Sequence, residues 1–310
     1  MSVGKRGLLL VIPLIAFAVG GGLHVPPAGL GHGWSGDAGF ELALESMPAL
    51  PDWAQDELPD FSQYQDTTEK KAAFFSFLYP RIVLANSRVL IERSYLESLS
   101  GKNELTDQEQ QWLDNQAERL RVESPSGSIE QFKLLRKRLD VIPPSLILAQ
   151  AANESAWGTS RFATEGNNLF GQWCFSKGCG LVPNARGEGS SHEVARFSSP
   201  YRSVRAYIQN LNRHPTYRTL RDIRLADRQQ SEDLSGLDLA GGLLGYSERG
   251  QDYVKEIRAM IHYNNLEFYD DDFRNVIKDQ SPDHLQQLAS SSPETELLPG
   301  QDTADAPKEG

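Results

Sequence analysis

The sequence contains few of the residues that build metal centres or nucleic-acid surfaces. Its 310 residues include only two cysteines and six histidines. The histidines are scattered and form no H-E-x-x-H pattern, so a zinc site is not expected. Lysine and arginine form no concentrated run, and the net charge is -11. Because phosphate binding needs a positive face, a general affinity for nucleic acid is excluded, and no feature indicates a cofactor.

The N-terminal segment, in contrast, has a clear apolar pattern. Lys5 and Arg6 precede an uncharged run, GLLLVIPLIAFAVGGGL. Its length suits a signal-peptide core and is slightly short for a comfortable membrane span. We therefore expect residues 1–23 to be a signal peptide or an uncleaved anchor. The protein would then be periplasmic, or anchored in the inner membrane and facing the periplasm.

Two polar segments flank the predicted folded domain, which we place at residues 66–275. Residues 24–65 are acidic, contain many Pro and Gly residues and show no sustained period, which predicts a flexible acidic linker. Residues 276–310 are also polar and acidic. They predict a disordered tail, because such a segment buries too little apolar surface to offset its ordering entropy.

Within the domain, apolar residues recur mostly at helical spacing. The first helix is expected to start with Thr67 or Thr68 as its N-cap and to kink or break at Pro80. Thr106 and Glu109 have capping-box spacing. Further helices are predicted in SIEQFKLLRKRL, VIPPSLILAQAANES, SVRAYIQNLNRH and GQDYVKEIRAMIHYNN. Only residues 179–197 look extended, so the fold class is α+β, predominantly helical with a small β lobe.

A single carboxylate continues the apolar face of the central predicted helix. Ile147, Gln150, Ala151 and Glu154 lie on or near one side at a period of 3.6 residues. Small neighbouring residues let other helices approach closely, and an enclosed carboxyl has a raised pKa, as a general acid at neutral pH requires. From spacing alone, Glu154 could equally be a water-exposed helix end or could bind the backbone of the following loop.

The stretch around Glu154 resembles the signature of the glucosaminidase branch of the lysozyme-like superfamily, glycoside hydrolase family seventy-three. The matching residues are Ala151, Glu154, Ser155, Gly158, Ser160, Ala163, Asn168, Phe170 and Gly171. FGQWCFSKGCGLVP, HEVARF, NLNRHPTYRTLR and YSERGQDYVKEI are similar to the bacterial Bax-like proteins, which are unrelated to the apoptosis regulator of that name. The resemblance covers roughly residues 70 to 265.

This resemblance implies a function and a fold. Glu154 would be the acid that protonates the glycosidic oxygen. The substrate would be a peptidoglycan strand, cleaved at the β-1,4 bond on the reducing side of N-acetylglucosamine. The fold would be lysozyme-like, with a cleft between a helical lobe and the β lobe.

A second group usually activates water or stabilises the transition state in glycoside hydrolysis. Glu193 is our first candidate and Glu188 our second, since both lie where relatives carry a mobile Glu. The substrate's N-acetyl group could replace either. Tyr246 matches a tyrosine-bearing family motif and is expected near Glu154. Residues expected to bind sugar are Trp157, Asn168, Phe170, Trp173 and Tyr253, although core packing also explains Phe170.

The two cysteines, Cys174 and Cys179, bracket four residues of one loop. In an exported protein this spacing favours a local disulfide. If the thiols were free, a Cys with His192 or His214 could form a wall peptidase. A glycan-binding module without turnover is the remaining alternative.

Overall fold

The computed structural model describes residues 44, 47–184, 192–291 and 293–299. The predicted signal segment lies outside these residues. In chain order the helices are α1 (Thr67–Ser100), α2 (Asp107–Leu120), α3 (Ile129–Arg138), α4 (Pro144–Glu154), α5 (Arg161–Gly166), α6 (Pro200–Arg213), α7 (Arg218–Gln230), α8 (Gly236–Leu239), α9 (Gln251–Tyr263), α10 (Glu267–Val276) and α11 (Pro282–Ser290). The strands are β1 (Trp173–Cys174), β2 (Gly180–Leu181) and β3 (Glu193–Ala195).

Helix α1 is the long central element. It begins after Asp66, not after Thr67 or Thr68, because the Asp66 carboxylate accepts hydrogen bonds from the backbone N–H groups of Thr68 (2.8 Å) and Glu69 (2.9 Å). It continues through Pro80 without a break. Among the described residues, α1 is the helix long and apolar enough to span a membrane, but 89% of its most apolar window is buried inside the protein.

The other predicted helices form near their expected positions. The capping box of Thr106 and Glu109 is present at the start of α2, and Ser128 caps α3. Helix α4 starts at Pro144, where a missing N–H is tolerated. Its residues 144–152 are buried, and it packs against α1, α8, α9 and α10. Helix α4 therefore runs through the centre of the core.

The β lobe is a small antiparallel sheet with strand order β1-β3-β2. Trp173 pairs with Val194, and Gly180 pairs with Ala195. A side chain at Gly180 would place its Cβ 1.9 Å from the carbonyl oxygen of Val194, so this position requires glycine. The predicted α+β class is confirmed, and the extended region starts six residues earlier than residues 179–197 suggested, at Trp173.

The segments on either side of the domain pack onto it. Arg81 of α1 donates to Glu294 (2.5 Å) and to the carbonyl oxygen of Trp53 (2.9 Å), while the Trp53 indole donates to the Ser291 carbonyl (2.8 Å). Phe61 is 1% exposed. Helix α11 buries Leu285, Leu288 and Ala289.

The predicted flexible linker and disordered tail are therefore wrong for residues 47–65, 276–291 and 293–299. These segments have too few apolar residues to form a core of their own. Helix α1 supplies the surface on which the few they have are buried.

Candidate active site

Glu154 is the last residue of α4 and lies where the chain turns sharply. Ala156, Trp157 and Gly158 all have positive φ angles, of 50°, 59° and 75°. The Ser155 hydroxyl stabilises this turn, because it donates to the Ala151 carbonyl (2.6 Å) and accepts from the Gly158 N–H (2.8 Å). The turn ends α4 and leaves Glu154 half-buried at its end.

Gly158 is required for two reasons. Its φ of +75° disfavours L side chains, and an added Cβ would lie 2.6 Å from the Phe61 ring. The small residue of the motif thus lets the turn pack against an aromatic side chain from the segment before α1.

A group of tyrosines surrounds the Glu154 carboxyl. The Tyr253 hydroxyl donates to Glu154 Oε1 at 2.7 Å. The Tyr246 ring stacks on the Tyr253 ring, with centroids 5.2 Å apart and planes 7° apart, and the Tyr246 hydroxyl donates to the Phe170 carbonyl at 3.0 Å. Tyr217 lies beside Tyr246, with centroids 6.1 Å apart. Tyrosines from two distant parts of the chain, Tyr217 and the pair Tyr246 and Tyr253, thus lie around one carboxyl.

This environment changes the protonation of both kinds of group. Burial raises the pKa of Glu154 to about 7, against the lowering effect of the Tyr253 hydrogen bond. Burial also raises the pKa of Tyr246 and Tyr253 well above the ordinary value, with the Glu154 charge adding to the rise. The tyrosines therefore stay neutral, while Glu154 holds an exchangeable proton near neutral pH.

The two tyrosines differ in how they contact Glu154. Tyr253, predicted to bind sugar, is 1% exposed and contacts Glu154 directly. Tyr246, predicted to act beside Glu154, is half-buried and supports Tyr253 by stacking. The sequence predicts that both tyrosines lie near the site, but it does not predict which of the two is buried against Glu154.

Asn168 and Phe170 build the wall of the site instead of offering groups to a substrate. Asn168 is 1% exposed, donates to the Gln172 (2.9 Å) and Ala195 (2.8 Å) carbonyls, and accepts from two backbone N–H groups. Phe170 is buried and stacks on Tyr207, with centroids 4.0 Å apart. Sugar binding by these two side chains stays a prediction that their burial does not favour, and core packing accounts for Phe170 as the sequence analysis allowed.

The two tryptophans lie in different places. Trp157 is half-buried, its ring forms T-shaped contacts with the rings of Phe74 and Phe75 from α1, and Lys71 Nζ lies 5.1 Å from its ring centroid. Trp173 is half-buried in the β lobe, where it stacks on His192 with centroids 4.1 Å apart. Each keeps some exposed surface, so a role for them in sugar binding stays a prediction.

Glu193 has a structural role that the sequence did not indicate. It is 5% exposed, and its two oxygens accept from the backbone N–H groups of Gly178 (3.0 Å) and Gly180 (2.8 Å). This carboxylate holds the loop between β1 and β2. Glu193 as the second catalytic carboxylate stays a prediction, and the engagement of both its oxygens by that loop does not favour it. Glu188 lies outside the described residues.

The same loop contains the predicted disulfide, which is present between Cys174 and Cys179. These are the only cysteines of the chain, so no thiol remains for a Cys/His peptidase. Within the described residues, the two sulfurs and the Glu193 carboxylate come within 4.8 Å of one another. Because both sulfurs are bonded to each other, this cluster lacks the thiolates that a zinc site would need.

The opposite end of α4 is fixed by two other buried carboxylates. Asp270 accepts from the Ser145 N–H (2.8 Å), the Ser145 hydroxyl (2.6 Å) and the Gly236 N–H (3.0 Å). Asp140, four residues before α4, accepts from Arg228 at 3.0 Å and lies 3.9 Å from Arg224. A cavity of about 210 Å³ lies beside Pro143, Pro144 and Asp270, and none of the residues around Glu154 lines it.

A half-buried acid at the end of a core helix, in a helical domain with a small β lobe, matches the arrangement that the sequence resemblance implied for a lysozyme-like glycoside hydrolase. Residues 129–266 match the glucosaminidase family, described as mannosyl-glycoprotein endo-beta-N-acetylglucosaminidase. The chain is 34% identical over 209 residues to protein bax of Escherichia coli (strain K12), which covers 67% of this chain and 74% of that protein. The chain therefore belongs to the Bax-like glucosaminidase family. No solved structure matches it.

Proposed function

We propose that the protein is an exported endo-β-N-acetylglucosaminidase that cleaves the β-1,4 bond on the reducing side of N-acetylglucosamine in peptidoglycan. The observation that carries this proposal is the Glu154 carboxyl, half-buried at the end of α4, with a pKa raised by burial to about 7. A group with this pKa is partly protonated at neutral pH and can give its proton to a leaving glycosidic oxygen.

The hydrogen bond from Tyr253 assigns different tasks to the two carboxyl oxygens. Oε1 already accepts from Tyr253 at 2.7 Å. Oε2 is then the oxygen that carries the transferable proton. As the glycosidic bond breaks, the proton leaves Oε2 for the leaving-group oxygen and a carboxylate remains, which the Tyr253 hydroxyl stabilises. The high pKa of Tyr253 keeps that hydroxyl protonated throughout.

The second catalytic role falls to Glu188 or to the substrate. Glu193 is held by the disulfide loop, so we propose Glu188 as the second carboxylate. If Glu188→Gln and Glu193→Gln both cleave peptidoglycan at close to the wild-type rate while Glu154→Gln does not, the N-acetyl group of the sugar is the remaining candidate.

The test of the proposal is digestion of purified peptidoglycan by Glu154→Gln, followed by mass spectrometry of the reducing ends. We expect N-acetylglucosamine at the new reducing ends of wild-type products and a rate loss of ~10²–10⁴-fold in the variant, because Gln keeps the shape of Glu but has no acidic proton. Glu165→Gln, an exposed Glu on α5, is the matched control and should cleave normally.

Three results would contradict the proposal. Cleavage by Glu154→Gln at close to the wild-type rate would remove Glu154 from the mechanism. N-acetylmuramic acid at the reducing ends would give a different bond specificity. Binding of peptidoglycan by the wild-type protein without any new reducing ends would identify a glycan-binding module.

Export is the other part of the proposal. The apolar run after Lys5 and Arg6 and the Cys174–Cys179 disulfide both support it, because such bonds persist in oxidising compartments. If the run is cleaved, the N-terminal residue of the mature protein should lie at about 20 to 35. Two free thiols in protein taken from its native compartment would contradict export.

A further inference from the structure

We infer that Gln150 and Tyr207 are positioning residues for Glu154: through a one-directional chain of hydrogen bonds they direct the hydroxyl proton of Tyr253 onto Glu154 Oε1. This inference rests on the proposed function, since it assigns the state in which Glu154 works. The chain of bonds itself can be measured without any substrate.

The chain runs through the core beside α4. Gln150 lies one helical turn before Glu154 and is fully buried. Its amide Nε2 donates to the Tyr253 hydroxyl oxygen at 2.8 Å, and its Oε1 accepts from the Tyr207 hydroxyl. Tyr253 then donates to Glu154 Oε1 at 2.7 Å. Tyr207 belongs to α6 and Tyr253 to α9, so three helices contribute to one chain.

The direction of the chain follows from what each group can do. An amide oxygen only accepts, so the single proton of the Tyr207 hydroxyl must point to Gln150. An amide nitrogen only donates, so the Tyr253 oxygen must accept from Gln150. The one proton of Tyr253 is then left for Glu154. The asymmetry of the Gln150 amide thus fixes which way every proton in the chain points.

The reverse direction would disable the acid. If the Gln150 amide were turned over, its oxygen would take the Tyr253 proton, and a protonated Glu154 would donate to Tyr253. The acidic proton would then be held inside the core instead of facing the substrate. In the structure the Tyr207 hydroxyl bonds the amide oxygen and its ring is stacked on Phe170, and this observed orientation leaves the Tyr253 proton for Glu154.

Other charged or titratable groups act on Glu154 without belonging to the chain. Glu256 of α9 raises the pKa of Glu154 and Arg249 lowers it, and these two form an ion pair at 2.6 Å. Tyr217 and Tyr246 are neutral neighbours whose own pKa values Glu154 raises. None of these groups is changed in the variants below, so a shift in those variants reports on the chain.

The test is a ¹³C NMR titration of the side-chain carboxyl of Glu154 in the full chain. Gln150→Met removes the donor to Tyr253 with little change in length. Tyr253 then donates less strongly and can accept from protonated Glu154, so the midpoint should rise by about half a unit. Tyr253→Phe should raise it by about one unit, because the carboxylate loses a charge-assisted hydrogen bond.

A double variant separates an effect through Tyr253 from a direct one. If Gln150 acts only through Tyr253, adding Gln150→Met to Tyr253→Phe should give no further shift. Gln131→Met is the matched control, since Gln131 is buried on α3 and bonds Gly127 and Asp114. It should leave the Glu154 midpoint unchanged. Tyr207→Phe removes the hydroxyl that bonds the Gln150 amide oxygen. It should shift the Glu154 midpoint upward by less than Gln150→Met does. If Gln150→Met does not fold, Tyr207→Phe replaces it in the test.

The sign of the shift decides the outcome. A fall in the Glu154 midpoint in Gln150→Met would show that the wild-type amide takes the Tyr253 proton, and it would overturn the inference, as would no shift at all. On peptidoglycan, we expect Gln150→Met to lower kcat about tenfold with KM unchanged and to move the alkaline limb upward by the same half unit. If Glu154→Gln still cleaves peptidoglycan but the predicted shifts occur, the proposed function fails while the chain of hydrogen bonds stands.

Discussion

Helix α4 has a carboxyl near each end: Asp140 lies four residues before the helix and is buried, and Glu154 is its last residue and is half-buried. Burial raises the pKa of each, but at Asp140 the guanidinium groups of Arg224, Arg93 and Arg228 outweigh it and lower the pKa to about 2. At Glu154 no such cage balances burial, and the pKa rises to about 7. Asp140 therefore keeps a permanent charge, whereas Glu154 exchanges a proton near neutral pH.

This difference shows that the partners of a buried acid decide its use. A carboxylate among guanidiniums serves as a fixed anion: Asp140, in the connection between α3 and α4, binds α1 through Arg93 and α7 through Arg224 and Arg228. A carboxyl among neutral tyrosines keeps its proton available. The helix between them keeps the two environments apart and carries the reactive group on a rigid, buried element.

The largest expected effect comes from breaking the guanidinium cage. Asp140→Asn leaves Arg224, which is 1% exposed in its side chain, beside Arg93 and Arg228 without their anion. We expect a loss of about 3–5 kcal/mol in the free energy of unfolding at pH 7, measured by urea denaturation. Asp222→Asn, which removes the exposed partner of Lys137, is the control and should cost less than about 1 kcal/mol. A small loss in Asp140→Asn would mean that the cage does not stabilise the fold.

The next effect is a gain of stability at the other end of α4. Folding raises the pKa of Glu154 from an ordinary 4.5 to about 7. Above pH 4.5 the unfolded chain therefore ionises Glu154 more readily than the folded protein does, and this lowers the free energy of unfolding. Stability should fall between about pH 4.5 and 7 and then level off. Glu154→Gln should match the wild type at pH 4 and be more stable by up to about 3 kcal/mol at pH 8.

Comparing the variant with the wild type at each pH removes the contribution of Asp270, whose pKa burial also raises, to about 6. Glu165→Gln again serves as the control and should show no pH-dependent difference. At Asp140 the effect of pH on stability has the opposite sign. Because folding lowers its pKa, stability is lost as the pH falls from about 4 towards 2. Equal pH profiles of wild type and Glu154→Gln would contradict the raised pKa.

Local patterns in the sequence predict part of this arrangement. The capping box of Thr106, the prolines that start α4 and the position of Glu154 all depend on neighbours within a few residues, and the structure has them as expected. The disulfide spans five residues and is equally local.

The remaining contacts join distant parts of the chain. Arg228 reaches Asp140 across 88 residues, and Tyr253 reaches Glu154 across 99. The sequence does not reveal that Glu193 binds the backbone N–H groups of Gly178 and Gly180, because these groups lie 15 and 13 residues away in a loop whose shape cannot be predicted from residue spacing. The sequence does indicate that Gln150 lies near Glu154, because it is four residues earlier on the same face of the helix.

A smaller effect concerns Glu193, a buried carboxylate of a third kind, which accepts hydrogen bonds from the backbone N–H groups of Gly178 and Gly180. Glu193→Gln replaces one acceptor with a donor that faces Gly178 or Gly180. We expect a loss of about 1–2 kcal/mol in unfolding free energy and a peptidoglycan cleavage rate within a few-fold of wild type. A large loss of turnover at unchanged stability would return Glu193 to the mechanism.

The central claim is that burial among neutral tyrosines gives Glu154 an exchangeable proton near neutral pH. The most direct test is a ¹³C NMR titration of the wild-type protein labelled at the glutamate side-chain carboxyl, with the Glu154 resonance assigned by its absence in Glu154→Gln. The account predicts a midpoint near the value of about 7 that burial produces. A midpoint close to the ordinary 4.5 would contradict it.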